Sequence, residues 1–323
     1  MILITGAAGF IGFHLIRSLK EANPLLDFLA VDNFNDYYSP RLKTDRSRIL
    51  EKEFGVGVRH LDIADRKSVE ALFEEPVETV VHLAAQAGVR FSIENPRQYV
   101  ESNIVGFTNI LEEVRNRRIG HCIYASSSSV YGNDSDIPFR ESQGFRTFES
   151  LYAVTKATNE MMADVYAQHY GLRLTGLRFF TVYGSWGRPD MAYYSFADAI
   201  REGRSIPVYN HGDMERDFTH VSDIVAGISR VVEMGPLEGR RPPSKVYNIG
   251  RGRPVRLLDF IDLIEKQMGR TAKKDMLPMQ PGDVTRTWAD VSDLKRDYGY
   301  APSTDLEDGI REFVDWYKDY HGV

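Results

Sequence analysis

The chain has 323 residues, 42% of them hydrophobic, enough for one large or two fused globular units with a substantial core. A formal charge of −6 and the lack of any long basic block exclude a protein that grips nucleic acid through its phosphates. No apolar run is long enough to span a membrane, the chain opens straight into an apolar strand, and its single cysteine, Cys122, cannot form an internal disulfide, so a cytoplasmic protein with a reduced thiol is expected.

Taken in chain order, Ile2-Leu3-Ile4 reads as a strand that turns through Gly6, Gly9 and Gly12 into a helix over 10–21. Glycine serves there because a side chain would collide with a pyrophosphate approaching the backbone, while the free N–H groups and positive dipole of the new helix attract it. The next apolar run, 28–32, ends in Asp32, about 20 residues past Gly12, where a carboxylate accepts hydrogen bonds from an adenosine ribose diol. An acid there repels a 2′-phosphate, which favours NAD over NADP.

Further strands fall near 57–61, 78–83, 121–126 and 172–179, with helical periodicity near 66–75, 98–115 and 151–169. This alternation predicts an α/β fold, a Rossmann-type doubly wound parallel sheet. Beyond 179 the pattern weakens into short strands, Arg-rich loops and the pair Pro242-Pro243. Helical patterns over 221–234, 255–268 and 305–320 keep that part ordered, as a smaller mixed α/β unit capping the first.

Tyr152 and Lys156 lie one helical turn apart behind Ser150, a candidate N-cap, so an ammonium stands where it lowers a phenol's pKa. The spacing is common by chance; the serine run Ser126-Ser127-Ser128-Ser129 at the end of the fifth strand gives it context, since ligands of such sheets bind beyond the carboxyl ends of the strands. A serine there shares a substrate hydroxyl with Tyr152. The eight histidines show no metal-ligand spacing, and no catalytic metal is expected.

Three further strings carry a resemblance: Ala84-Ala85-Gln86-Ala87-Gly88-Val89-Arg90-Phe91, Arg178-Phe179-Phe180-Thr181-Val182-Tyr183-Gly184-Ser185-Trp186-Gly187-Arg188-Pro189-Asp190-Met191, and His211-Gly212-Asp213-Met214-Glu215-Arg216-Asp217-Phe218. With the glycine loop and the Tyr152/Lys156 pair, they make the chain resemble the NAD-dependent epimerase/dehydratase (extended short-chain dehydrogenase/reductase) family over nearly its whole length, and within it the nucleotide-sugar 4-epimerases acting on UDP-glucuronate. The second string is the most specific, because galactose 4-epimerases usually carry Asn at the position of Thr181 and lack the Trp-Gly-Arg-Pro-Asp-Met continuation. Ser185 departs from the Pro usual in the family.

The resemblance implies an NAD-binding domain over 1–178, rejoined by parts of 218–250, and a mainly UDP-sugar-binding domain over 179–323. It implies that Gly6, Gly9, Phe10, Ile11, Gly12, Asp32, Asn33, Asp62, Ile63, Leu83, Ala84 and Ala85 hold NAD together with Tyr152 and Lys156. Tyr152 takes the proton of the sugar 4-hydroxyl, Lys156 holds the nicotinamide ribose and lowers the phenol's pKa, and Ser127 fills the family's Ser/Thr position. UDP-glucuronate and UDP-galacturonate then interconvert through a 4-keto sugar without net redox change. That intermediate is a β-keto acid, and it loses carbon dioxide if its carboxylate is free to rotate; Thr181 and Arg188 are implied to fix it, the latter with a solvent-facing side chain when substrate is absent. Arg90, in the loop expected to overhang the nicotinamide, is a candidate substrate contact; the resemblance places Tyr209 against the uracil, Arg216 on the diphosphate and Asp283 near the uridine ribose, while Gln280 stands where many galactose epimerases carry Arg, which leaves Arg286 as the candidate replacement for a second diphosphate contact. A homodimer is implied through the helices near 98–115 and 151–169, with Ile104, Phe107, Met161 and Val165 facing the partner.

Relatives lacking the carboxylate clamp, acting on UDP-glucose or UDP-N-acetylglucosamine, are the main alternative. Sugar dehydratases carry Asp-Glu where this chain has Ser128 and Ser129, and UDP-glucuronate decarboxylases usually carry Glu at the second of these. A silent NAD-sensing regulator is expected to have lost Tyr152 or Lys156.

Overall fold

The computed structural model describes residues 1–133, 135–239, 243–280 and 282–323, so Pro242 of the proline pair lies outside the described residues. The first half alternates β1 (Ile2–Thr5), α1 (Phe10–Ala22), β2 (Phe28–Asp32), α2 (Pro40–Phe54), β3 (Val58–His60), α3 (Arg66–Leu72) and β4 (Thr79–His82). Two short helices follow, α4 (Phe91–Glu94) and α5 (Pro96–Tyr99), then a π-helical turn over Val100–Val105, α6 (Gly106–Asn116), β5 (His121–Ser127), α7 (Leu151–Tyr170) and β6 (Leu174–Phe179). The second half contains β7 (Thr181–Tyr183), α8 (Ala192–Glu202), β8 (Ser205–Val208), β9 (Glu215–Arg216), β10 (Phe218–His220), α9 (Val221–Met234), β11 (Ser244–Ile249), β12 (Val255–Arg256), α10 (Leu257–Met268), β13 (Lys273–Met276), α11 (Ser292–Tyr298) and α12 (Leu306–His321).

Seven parallel strands form one sheet in the order β11-β6-β5-β4-β1-β2-β3. The doubly wound expectation is met, with β11 added from far along the chain. Its central strands are apolar on both sides because both faces are covered. Ile4, Ala30, Val81 and Ile123 pack beneath α1 and α9. Leu3, Leu29, Val80 and Cys122 pack on the other side with Phe107, Ile110 and Ala163. The direction of the strand order reverses between β1 and β4, and the crevice that such a reversal opens at the carboxyl ends of the strands is where ligands bind in these sheets. A separate aromatic core, including Tyr183, Tyr193, Phe218, Phe260 and Phe313, joins α8, α10 and α12.

Three features depart from the sequence pattern. The helix expected over 98–115 is interrupted by the π-helical turn, which brings Asn103 into the interior at 1% exposure. The helices α2 and α8 were not legible; α2 has buried Lys43 and Arg46 on its inner face, which hides its amphipathic period. Phe107, expected at a subunit face, is instead core: it is fully buried, with its ring 5.4 Å from His82 and 5.2 Å from Tyr124.

Candidate active site

A cleft of about 640 Å³ runs over the β1/β4 reversal and between the two halves of the chain. Of the residues named from sequence for cofactor and substrate, all line it except Asp62 and Arg286. The Asp62 carboxylate instead accepts from the Ala64 N–H at 2.9 Å and from Asn33 Nδ2 at 3.2 Å, bracing the wall from outside.

At its floor the glycine loop packs with no space to spare. Gly6 has φ +72, and a Cβ on Gly12 would stand 2.3 Å from the Gly6 carbonyl oxygen. Gly9 caps α1 without a side chain, and no acid lies in the first turn, so the leading N–H groups of the helix face the cleft unmet by any carboxylate. An anionic diphosphate fits this cradle. Asp32, 7% exposed, accepts from the Phe34 N–H at 2.8 Å and has Lys43 Nζ at 3.7 Å.

The wall formed by Leu83, Ala84 and Ala85 is held from below. The Ala84 N–H donates to Thr5 Oγ1 at 3.1 Å, and the Thr5 hydroxyl lies 2.8 Å from His82 Nδ1. Burial pushes the His82 imidazole down to about 3, so the ring that shares this bond with Thr5 is neutral. Asn103 ties this wall to α7: its amide accepts from the Gln86 N–H at 2.8 Å and donates to the Gln86 carbonyl and Thr155 Oγ1, both at 3.0 Å. Thr155 passes the chain to the Tyr152 carbonyl at 2.8 Å. No sequence signal marks Asn103, since a lone Asn in an amphipathic stretch reads as solvated.

Ser150 caps α7 by accepting from the Ala153 N–H at 3.2 Å, and Tyr152 and Lys156 project from its first turns into the cleft beside Ser127. Burial raises the Tyr152 phenol above its ordinary value, against which the Ser127 hydroxyl and the charge of Arg188 act. The Lys156 ammonium stands 6.0 Å from the centroid of the Tyr152 ring and donates to the Ala125 carbonyl at 2.8 Å. Burial lowers it to about 8, with Glu160 opposing. Glu160 is itself fixed by the buried Arg178, through bonds of 2.9 and 2.7 Å.

Across the cleft, Thr181 opens β7 in register with Phe218 of β10. Arg188 corrects the expectation of a solvent-facing charge: Nε donates to Asp190 Oδ1 at 3.0 Å, the Tyr37 hydroxyl donates to Asp190 Oδ2 at 3.0 Å, and the Arg188 side chain is only 21% exposed. Burial opposes the guanidinium charge, but Asp190 overrides it and holds the group firmly protonated. Arg90, the candidate substrate contact, lines the cleft as well. Its guanidinium turns to Asp283 at 3.1 Å and lies 4.9 Å from the centroid of the Tyr209 ring, so it joins the residues implied for the nucleoside end. Arg216, lowered to about 10 by burial, donates to the Glu215 and Thr285 carbonyls at 3.0 Å. Arg286 is exposed and does not line the cleft, its nearest charge being Glu215 at 3.6 Å.

A diphosphate cradle at the strand reversal, with an acid for a ribose and a phenol beside a serine one step along the same edge, defines a Rossmann-type enzyme that uses a dinucleotide on an alcohol. The chain belongs to the NAD dependent epimerase/dehydratase family, whose pattern matches residues 2–250. It is 50% identical to Protein CapI of Staphylococcus aureus over 99% of both chains. It is 44% identical to UDP-glucuronate 4-epimerase 2 of Arabidopsis thaliana over 99% of this chain and 76% of that one. Among solved structures it is similar to UDP-glucuronic acid 4-epimerase from Bacillus cereus in complex with UDP-glucuronic acid and NAD, at 32% identity over 99% of both chains with a TM-score of 0.91.

Proposed function

We propose that the chain is an NAD-dependent UDP-glucuronate 4-epimerase, interconverting UDP-glucuronate and UDP-galacturonate through a 4-keto sugar with the carboxylate retained. The observation that carries the reading is one cleft with Tyr152, Lys156 and Ser127 on one wall and Thr181 with Arg188 on the other. Bound NAD supplies the acceptor and then the donor of the C4 hydride. Gly6, Gly9, Phe10, Ile11 and Gly12 take its diphosphate, Asp32 and Asn33 the adenosine ribose, and Ile63 with Leu83, Ala84 and Ala85 the wall beside it.

Tyr152 accepts the O4 proton and returns it, with Ser127 holding the same oxygen. Burial raises the phenol, so a cation beside it must bring it toward neutral pH. Lys156 provides part of that field once its ammonium also meets the ribose hydroxyls. Thr181 and Arg188 hold the uronate plane so that the C5–C6 bond stays out of line with the C4 ketone. Arg188 already has its Nε edge on Asp190, so its remaining edge is the one offered to substrate. At the far end, Tyr209, Arg90 and Asp283 form the nucleoside end, and Arg216 meets the diphosphate.

The same reading divides the chain into an NAD-binding part over 1–178 rejoined by parts of 218–250, and a UDP-sugar part within 179–323. It also pairs two copies through a face where Val105, Val154, Met161 and Val165 are 38–51% exposed, with Ile104 half-buried among them. Light scattering is expected to give a dimer at micromolar protein. A cytoplasmic location agrees with the single buried thiol of Cys122 and with the absence, among the described residues, of a helix able to cross a membrane. Incubation with UDP-glucuronate, UDP-glucose and UDP-N-acetylglucosamine tests the substrate: the 4-epimer is expected from the first alone, and its formation only from the neutral sugars would overturn the reading.

A further inference from the structure

The loop that carries Arg188 is anchored by its backbone as well as by its side chains. Three successive carbonyl oxygens, of Ser185, Trp186 and Gly187, point back into the cofactor half. His14, whose imidazole burial lowers to about 3, donates from Nε2 to Ser185 O at 2.9 Å. Arg46 Nη2 donates to Trp186 O at 2.6 Å and Gly187 O at 3.0 Å. The other arm of that guanidinium, Nη1, donates to Ala8 O in the glycine loop at 3.0 Å and meets the Tyr38 hydroxyl at 2.9 Å.

Arg46 is 0% exposed, and its partners are carbonyls and a phenol. A buried cation with no carboxylate partner among the described residues is a costly way to fill space, and an apolar side chain would pack there more cheaply. What a planar fork does, and an apolar group or a point ammonium cannot, is bond acceptors on two separate loops at fixed angles. The loop also needs holding. Trp186 has φ +57, a left-handed conformation that a bulky residue avoids, and it keeps it with its indole 5.6 Å from Phe13 and 5.3 Å from Trp316. Arg188 follows two residues later.

We infer that Arg46 is a positioning residue that couples the glycine loop to the carboxylate-holding loop and so sets the angle at which Arg188 meets the uronate; the inference rests on the function proposed above. When that angle is lost, the C5–C6 bond of the 4-keto sugar swings into line with the ketone. The bond then breaks, carbon dioxide leaves, its electron pair passes to the C4 oxygen as an enolate, and a proton at C5 completes a 4-keto pentose. The ratio of pentose to epimer therefore reports loop geometry, and it is independent of how much protein is folded.

Arg46→Lys keeps the charge and loses the fork. Its pentose-to-epimer ratio is expected to rise about tenfold and KM for UDP-glucuronate to rise more than kcat falls. Amides of 185–188 should exchange with deuterium faster than in the wild type. Trp186→Gly, which loosens the same loop while leaving the Arg46 side chain itself intact, should raise the ratio as well, and guanidinium ion added to Arg46→Ala should lower it again. Variants with a reduced Tm but the wild-type ratio and unchanged exchange at 185–188 would reduce Arg46 to a packing residue and overturn the inference. Exchange needs no substrate: a wild type inactive on UDP-glucuronate overturns the function, while unchanged exchange in Arg46→Lys separately overturns the anchor.

Discussion

The two loops that meet at this cleft are built in opposite ways. The glycine loop is shaped by what it lacks: at Gly12 there is no room for a methyl group, and the first turn of α1 offers bare N–H groups. The loop from Gly184 to Asp190 is shaped by what others give it, through carbonyl anchors to His14 and Arg46, the Ser185 hydroxyl on Glu312 at 2.9 Å, and the Arg188 fork closed on Asp190. The first takes its shape from a short run of glycines, with Arg46 bonded to it from outside at Ala8. The second is assembled from α1, α2 and α12, so a change in either half of the chain reaches it.

The reacting centre between them should show the largest effect. Tyr152→Phe keeps the ring that packs edge-on 6.2 Å from Tyr99 and removes only the proton acceptor. Turnover is expected to fall on the order of a thousandfold, with bound NAD unchanged when released by denaturation and quantified by absorbance. A tenth of the wild-type rate surviving would remove Tyr152 from the role of base.

Gly12→Val should come next, by driving a branched side chain into the Gly6 carbonyl. Purified protein is expected to hold NAD on the order of a hundredfold more weakly, scored by cofactor content after gel filtration. Full retention would mean that the cradle yields, and the contrast between a rigid and a held loop would fail.

Arg188→Ala probes the opposite loop, and its loss should be smaller because one charge-assisted contact is removed, about tenfold to a hundredfold in kcat/KM on UDP-glucuronate. The correction that Arg188 is paired adds a second expectation: the variant strands the Asp190 carboxylate, so it should also lose some thermal stability. Wild-type kinetics would move the carboxylate clamp elsewhere.

The same contrast explains what the sequence disclosed. The glycine loop, Asp32 and the Tyr152/Lys156 pair were readable because each is a short-range pattern on one strand or helix. Lys43, Arg46 and Asn103 were not, because each is a buried polar group whose burial is decided by partners outside its own helix: Asp32 and Asn35 for Lys43, the 186–187 carbonyls for Arg46, Gln86 and Thr155 for Asn103. The π-helical turn that aims Asn103 inward is invisible to a 3.6-residue period. Arg188 was legible as a cation but not as a paired one, since whether Asp190 folds back depends on the turn between them.

The smallest effect expected is one of stability, at Lys156. The residue is 3% exposed, and burial lowers its ammonium from 10.5 to about 8, so the folded protein releases this proton at lower pH than the unfolded chain does. Between those two values the unfolded state binds more protons, and this group's contribution to stability rises with pH; below about 8 its penalty is present in full. Lys156→Met, of similar length and apolar, should therefore raise the Tm of NAD-stripped protein at pH 7, by an amount corresponding to a penalty of up to about 3 kcal/mol, while turnover collapses. The gain should shrink by pH 9.5, where the wild type has already shed most of the charge. A variant less stable than wild type at pH 7 would mean that the bond to Ala125 and the attraction of Glu160 outweigh the burial of the charge, and that the catalytic helix carries its lysine at no cost to the fold.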